Sequence, residues 1–577
     1  MPHDKLFASS PACLLSTFRI NMNLHSSSNM KTPPANNANR SAIRALWSRA
    51  RSLMREVKHV WEVLRRSILE SRLISRRVKN TKLSGPPVEG TVVFNAVRTF
   101  PTSDLELYLA HLCAWKGMTV YVLFDDGVLE HWDSNQIHAQ KYASPYRAQW
   151  FTRWAAEIRR RLVCRAYRTG DLRTLKYSEM VRRCAVDDEP VDSDLGFAAS
   201  STKRFYETGS SDIDGEHKSY YQSCLRNCAV SRAIARYVVE VIKPDLFVTS
   251  HGIYSVWGPA FTAVREAGIP ALVPNHDSTS MGGFRVVDEI QQRMSVCSDW
   301  RDFQRGLRND NEAAMEGAKV LENRFSYQIA DVQEYYPDGP ERQSKFLENL
   351  PDGKVIFGMF PNVVWDGDVP ERNIILDNVL EWCASTIETI RATPHHLCIR
   401  FHPSEATRMK GSMRLQDLLR EKIPDLAEIN NLTLIPSSEP IDTYWFAAKY
   451  IDVGLIYDGT LSLEMTYMGI PVVACTNGLF TLDEVVFKPK TLDDYRNFLR
   501  NPDSIMREFS QDGALRKKKA AEYFHWLFNE SVFKFTPMVS HHNIRMDYAI
   551  VEPDAALSPD QQRVWDRLNS AMRKEVR

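Results

Sequence analysis

The sequence predicts an α/β protein of two doubly wound, Rossmann-like domains facing each other across a cleft, preceded by a basic helical extension. Three observations predict it. Short apolar runs alternate with helical patterns over 91–275 and again over 354–475, the texture of parallel sheets with helical crossovers. Several of these runs end abruptly in acid, imidazole or guanidinium groups, and the carboxyl edge of such sheets is where ligands bind. The chain has 577 residues, 44% of them hydrophobic, enough for two to four domains with large cores.

Composition excludes several classes. Lys+Arg 73 against Asp+Glu 72 leaves a net charge of +1, so no global basic field points to a nucleic-acid partner. The 10 cysteines are scattered without Cys-x-x-Cys or zinc spacing, which favours a reducing compartment. There is no apolar run of about 18 residues to span a bilayer, and 14–20 is too broken by Ser, Thr and Arg to form a secretory signal. The expectation is a cytoplasmic protein.

Taken in order, 1–39 is rich in Ser, Asn and Pro and is read as disordered. Over 40–83 the chain becomes a basic amphipathic segment. Ile43, Leu46, Ala50, Leu53, Val57, Val60 and Leu64 keep a three-four spacing beside Trp47 and Trp61, and arginines crowd the other faces. Such a helix can lie at the inner face of an anionic membrane, each basic residue contributing about 1 kcal/mol near the headgroups.

A linker at 84–87 leads into the first α/β domain, 84–290. Strands are expected at 91–97, 119–124, 246–249 and 269–273, with helices at 104–116 and 221–242. The stretch from 129 to 220 gives no clear order. A charged helical connection follows over 291–350. The second domain, 351–500, opens with a strand at 354–360 and a helix over 373–391. The apolar run from His396 follows, and Pro403, which cannot donate to a ladder, ends it at His402. Further strands are expected at 432–435, 451–457 and 471–475, with Gly459-Thr460 opening a helix over 461–468. Residues 501–577 read as C-terminal helices.

Facing strand edges suggest a nucleotide-linked donor on one side and an acceptor on the other. In the second domain Gly459 and Thr460 stand at a helix N-terminus, where unpaired amides favour a phosphate. Arg400 offers a guanidinium fork and His402 a donor to the same group. Glu464, one turn on, can accept from ribose hydroxyls. The first domain is expected to supply the base, from Asp125, Asp126, His251, His276 and Asp277. Asp125, directly after its strand, ranks first and His251 next. Asp366 and Asp368 match an Asp-x-Asp metal pattern, but Asp192/Asp194 and Asp212/Asp214 repeat it, so no metal is expected.

The run Phe360-Pro361-Asn362-Val363-Val364-Trp365-Asp366, then Glu381-Trp382, Ile399-Arg400-Phe401-His402-Pro403-Ser404-Glu405, Asp458-Gly459-Thr460 with Glu464, and Gly469-Ile470-Pro471 resembles bacterial capsule polysaccharide biosynthesis proteins. These are GT-B glycosyltransferases related to the capsular Kdo transferases. Asp125-Asp126-Gly127 and His402-Pro403 are also similar to the two short motifs of bacterial GT-B sialyltransferases. There the acidic motif supplies the base and His-Pro holds the phosphate of a CMP donor. The resemblance implies metal-independent transfer from a CMP- or UDP-linked sugar, without a bound cofactor, to a surface glycan or lipid-linked acceptor. With it, Asn362 and Glu405 join the donor-binding set. A nucleotide-sugar 2-epimerase, or a non-catalytic scaffold of polysaccharide assembly, fits the same fold.

Overall fold

The computed structural model describes residues 89–95, 116–130, 172–206, 215–275, 283–287, 298–306, 310–327, 339–365, 373–407, 414–531 and 533–534. It adds positions 213 and 336 and scattered helical positions within 61–72, 109–114 and 158–165. Residues 1–39, the linker at 84–87, most of 40–83, His276, Asp277, Asp366 and Asp368 lie outside the described residues.

The first domain runs β1 (Thr91–Asn95), β2 (Thr119–Phe124), β3 (Leu172–Lys176), α1 (Tyr177–Arg183), α2 (Asp192–Tyr206), α3 (Gly215–Tyr237), β4 (Leu246–Val248), α4 (Tyr254–Glu266), β5 (Ala271–Asn275) and β6 (Gly283–Val287). Its sheet has the order β12-β6-β5-β4-β1-β2-β3, where β12 (Phe533–Lys534) comes from the far end of the chain. The five strands from β5 to β3 are parallel, and β6 and β12 add antiparallel. β1 and β4 are apolar and almost wholly buried, as strands covered on both faces must be.

α5 (Ser298–Gly306) and α6 (Asp310–Phe325) lead into the second domain. It comprises β7 (Ile356–Phe360), α7 (Val379–Ile390), β8 (His396–Arg400), α8 (Ser404–Thr407), α9 (Leu415–Lys422), β9 (Leu432–Ile435), α10 (Thr443–Tyr450), β10 (Val453–Ile456), α11 (Leu461–Met468) and β11 (Val472–Ala474). All five strands are parallel in the order β11-β10-β7-β8-β9. α12 (Leu492–Arg500) and α13 (Pro502–His525) follow. Thr491 starts α12 with a full capping box to Asp494.

Two expectations need correction. The chain is not helical to its end, because β12 pairs with β6 and returns the polypeptide to the first sheet. The helix expected over 373–391 begins at Val379, where Asn378 accepts from the Glu381 amide as its N-cap.

α13 is the strut between the domains. It packs on α6 so closely that a side chain at Gly317 would collide with the Ala521 carbonyl. Beyond its end, Arg285 of β6 donates to Leu527 O at 2.6 Å and Ser531 Oγ at 2.9 Å. One continuous core accordingly runs from Phe247 and Trp257 through Trp300, Tyr523 and Trp526 to Leu463 and Met465. A second core, around Trp382, Leu397 and Tyr495, lies within the later domain. Across the cleft, the Arg204 guanidinium at the end of α2 stands 4.5 Å from the ring centre of buried Trp365, in the loop after β7.

Candidate functional site

In the second sheet the chain steps from β7 to β8 and β9 on one side, and places β10 and β11 on the other. The carboxyl ends of β7 and β10 therefore flank a topological switch point, where neighbouring loops diverge and leave a crevice. A pocket occupies that place. It has a cavity volume of about 200 Å³ and is lined by Asn362 after β7, Arg400 at the end of β8 and His402 after it, Asp458 after β10, and Gly459, Thr460 and Glu464 at the start of α11. Six of the donor-side residues expected from the sequence, Asn362, Arg400, His402, Gly459, Thr460 and Glu464, are thus brought together.

The loops around the pocket are tied to one another. Asn362 Oδ1 accepts from the Asp458 amide at 3.1 Å, joining the β7 and β10 loops. Asp458 in turn accepts from Phe480 N at 3.3 Å, and Gly478 leaves the room its carboxylate needs. No side chain caps α11 at Thr460; the amides of Ser462, Leu463 and Glu464 donate instead to Gly459 O and Thr460 O, each at 3.0 Å, so what the tip offers a ligand is chiefly the positive end of the helix dipole. Gly459 neither adopts a left-handed backbone nor faces a neighbour: a Cβ there would meet nothing within 4 Å. What this glycine leaves is space beside the helix tip, where a ligand can approach the backbone.

His402 is fixed as a donor. Its Nδ1 accepts from the Ser404 amide at 3.2 Å and lies 2.6 Å from Ser404 Oγ. An amide only donates, so Nδ1 carries the lone pair and the neutral ring keeps its proton on Nε2.

Arg400 departs from expectation. Its NH1 donates to Phe401 O at 3.0 Å and Pro436 O at 2.8 Å, and its NH2 to Glu439 O at 2.7 Å. The fork is therefore occupied by carbonyls and staples the 436–439 loop to the strand end. Its charge still stands in the pocket wall, 3% exposed, with Nε buried and without a hydrogen-bond partner, and burial lowers its pKa. Glu464 is likewise not an open acceptor, because its Oε1 takes Arg324 Nε at 2.6 Å in a buried ion pair.

Arg324 was not foreseen. It lies in the last turn of α6, where a basic residue ordinarily answers the helix dipole in solvent, so its spacing carried no signal. Here it is 5% exposed, lines the pocket and also donates to Thr460 Oγ1 at 3.3 Å. Glu405 corrects in the opposite direction. It is not a lining residue; its Oε1 accepts from Leu415 N at 3.2 Å, Oε2 is buried without a partner, and burial pushes its pKa up to about 7.

The expected bases occupy the first sheet's carboxyl edge, on opposite sides of β1. Asp125 is 1% exposed and its Oδ1 accepts from the amides of Gly127, Val128 and Leu129 at 3.0, 2.8 and 3.1 Å. Asp126 accepts from Ser178 N at 2.9 Å and Ser178 Oγ at 2.6 Å. The carboxylates of the acidic pair are thus engaged by their own loop and by Ser178. His251 is only half-buried, with Nδ1 accepting from Ile253 N at 3.2 Å and its ring edge-on to Tyr254 and Trp257. The adjoining Tyr254 has a φ of 68°, a strained value for a non-glycine residue at the head of α4.

No family model matches the chain, and no curated protein matches it. Among solved structures it is similar to the β-Kdo 2,4 transferase KpsC of Thermosulfurimonas dismutans, at 11% identity and a TM-score of 0.32 over 48% of this chain and 78% of that one. It is similar to UDP-GlcNAc 2-epimerase of Neisseria meningitidis bound to UDP-GlcNAc, at 11% identity and a TM-score of 0.24 over 77% and 99%. A third match is sucrose-phosphate synthase of Thermosynechococcus elongatus, at 10% identity and a TM-score of 0.28 over 76% and 94%. The architecture itself is read from the two sheets of this chain. Two doubly wound sheets, the later one all parallel and the first with five parallel strands and an antiparallel edge, with the chain returning through α13 and β12 to the first, form two Rossmann-like domains of GT-B type.

Proposed function

We propose that the chain is a metal-independent glycosyltransferase that moves a sugar from a nucleotide-linked donor to a surface glycan or lipid-linked acceptor. The observation that carries this reading is the N-terminal end of α11 sharing one pocket with the His402 imidazole and with two buried guanidinium groups. When a sugar leaves its nucleotide, negative charge develops on the departing phosphate. The positive end of the α11 dipole and the His402 imidazole beside it favour that charge, and preorganised electrostatics of this kind often contribute more to catalysis than any other effect. Arg400 and Arg324 raise the local positive potential, while their hydrogen bonds hold the 436–439 loop and the helix tip in place. The acceptor's proton goes to the first domain's edge. Half-exposed His251 is better placed there than sealed Asp125, and taking a proton on Nδ1 displaces the Ile253 amide.

The test uses the full chain with CMP-, UDP- and GDP-linked sugars, with and without glycan acceptors. Nucleotide release that needs an acceptor supports transfer. Isomerisation of the sugar in donor alone assigns the pocket to a 2-epimerase, and no turnover of any donor with a folded protein removes the enzymatic reading.

A further inference from the structure

The helix within 61–72 turns an unusual set of side chains outward. Trp61 is 47% and Ile68 42% exposed. Arg65 and Arg72 are exposed as well, whereas Leu64 and Ser71 are half-buried. At 100° per residue, positions 61, 65, 68 and 72 fall within an arc of about 60°, and 64 and 71 lie together on its flank. The apolar stripe expected from the sequence, to which Leu64 belongs, is thus at this point the more covered side. A water-facing arc ordinarily holds short-range charge pairs of both signs. This one interleaves an indole and a branched aliphatic with two guanidinium groups. An indole with an apolar body and a polar N–H suits the boundary between headgroup and acyl chain, and arginines reach anionic headgroups from the same depth.

The sign of the surrounding charge selects the partner. Residues 40–79 contain twelve Lys and Arg against three Glu, so an anionic surface is attracted along the whole segment. A second copy of the same basic arc is repelled. Among the described residues no helix is long and apolar enough to cross a membrane, so the contact is lateral. We infer that Trp61, Arg65, Ile68 and Arg72 form a docking face for an anionic lipid surface. This inference does not depend on the reading of the donor pocket.

The experiment is co-sedimentation of the full chain with vesicles of phosphatidylcholine alone, or of equal parts phosphatidylcholine and phosphatidylglycerol, at low and high salt. The inference expects binding to the anionic vesicles only, weakened by salt. Replacing Trp61→Ser with Ile68→Ser is expected to lower the partition coefficient by about tenfold or more, since both apolar groups leave the interface. Arg65→Gln with Arg72→Gln is expected to remove part of the salt dependence. All four positions are exposed, so unchanged thermal unfolding shows that the variants fold. Wild-type protein that ignores anionic vesicles overturns the inference, as does either double variant binding like wild type. A light-scattering mass that falls from dimer to monomer in the variants, without vesicle binding, assigns the face to a second copy and overturns it too.

Discussion

His402 shows how one backbone amide sets a side chain's chemistry. Because the Ser404 amide occupies Nδ1, the ring presents Nε2–H at every pH at which it is neutral. His402→Ala is expected to lower kcat by about 10²–10³-fold, the scale of losing one donor to a developing oxyanion, with little change in thermal stability; steady-state kinetics beside a melting curve checks both. Gly459→Val separates ligand space from fold in the same way. Its side chain meets open pocket rather than protein, so stability is expected to change little while the KM for donor rises. Arg400→Ala behaves differently. It strips donors from three carbonyls, each lost partner costing about 1–3 kcal/mol, so a lower unfolding midpoint accompanies lost activity. Glu405 gives a pH signature. Its carboxyl binds a proton more tightly folded than unfolded, so its stability contribution is complete below the ordinary carboxylate range and is lost as pH rises through about 7. The loss is on the order of 3 kcal/mol. Glu405→Gln is expected to flatten chemical-denaturation stability between pH 5 and 8, by comparison with a steady decline in the wild type.

Among the elements, legibility followed burial. β1, β4, β7, β8 and β10 are largely buried on both faces around apolar runs and were readable as strands from composition. β3, Leu-Arg-Thr-Leu-Lys at the sheet edge, has no fully buried residue and carries no such signal. β6 was hidden for another reason: its buried Arg285 serves the distant turn at Leu527, a contact between residues 242 apart in sequence. Donor-side groups that end a strand or begin a helix were legible because punctuation by Pro403 and Gly459 marks them. Arg324 was not, since its role comes from the packing of α6 beside α11. The α6–α13 contact makes its own prediction. Gly317→Ala drives a methyl into the Ala521 carbonyl, and overpacking of this kind costs about 1–3 kcal/mol or more; the expected outcome is a lower melting temperature and a weaker response to donor.

At the scale of the whole molecule, two sheets present their carboxyl edges to a cleft, and the chain closes the arrangement by returning through α13 and β12 to the sheet where it began. The sequence foretold two domains but not this return, because a two-residue strand pairing with β6 leaves no periodic pattern to read. Nor could it foretell that the acidic pair at Asp125 and Asp126 would serve its own loop. The central claim is that the crevice between β7 and β10 holds a nucleotide phosphate against α11. Thermal unfolding of the full chain with CMP, UDP and GDP, in wild type and in Gly459→Val, tests it most directly, because a ligand that binds only the native state raises the apparent melting temperature. The account predicts a rise with one of these nucleotides that the variant abolishes; no rise with any of them, or an equal rise in the variant, contradicts it.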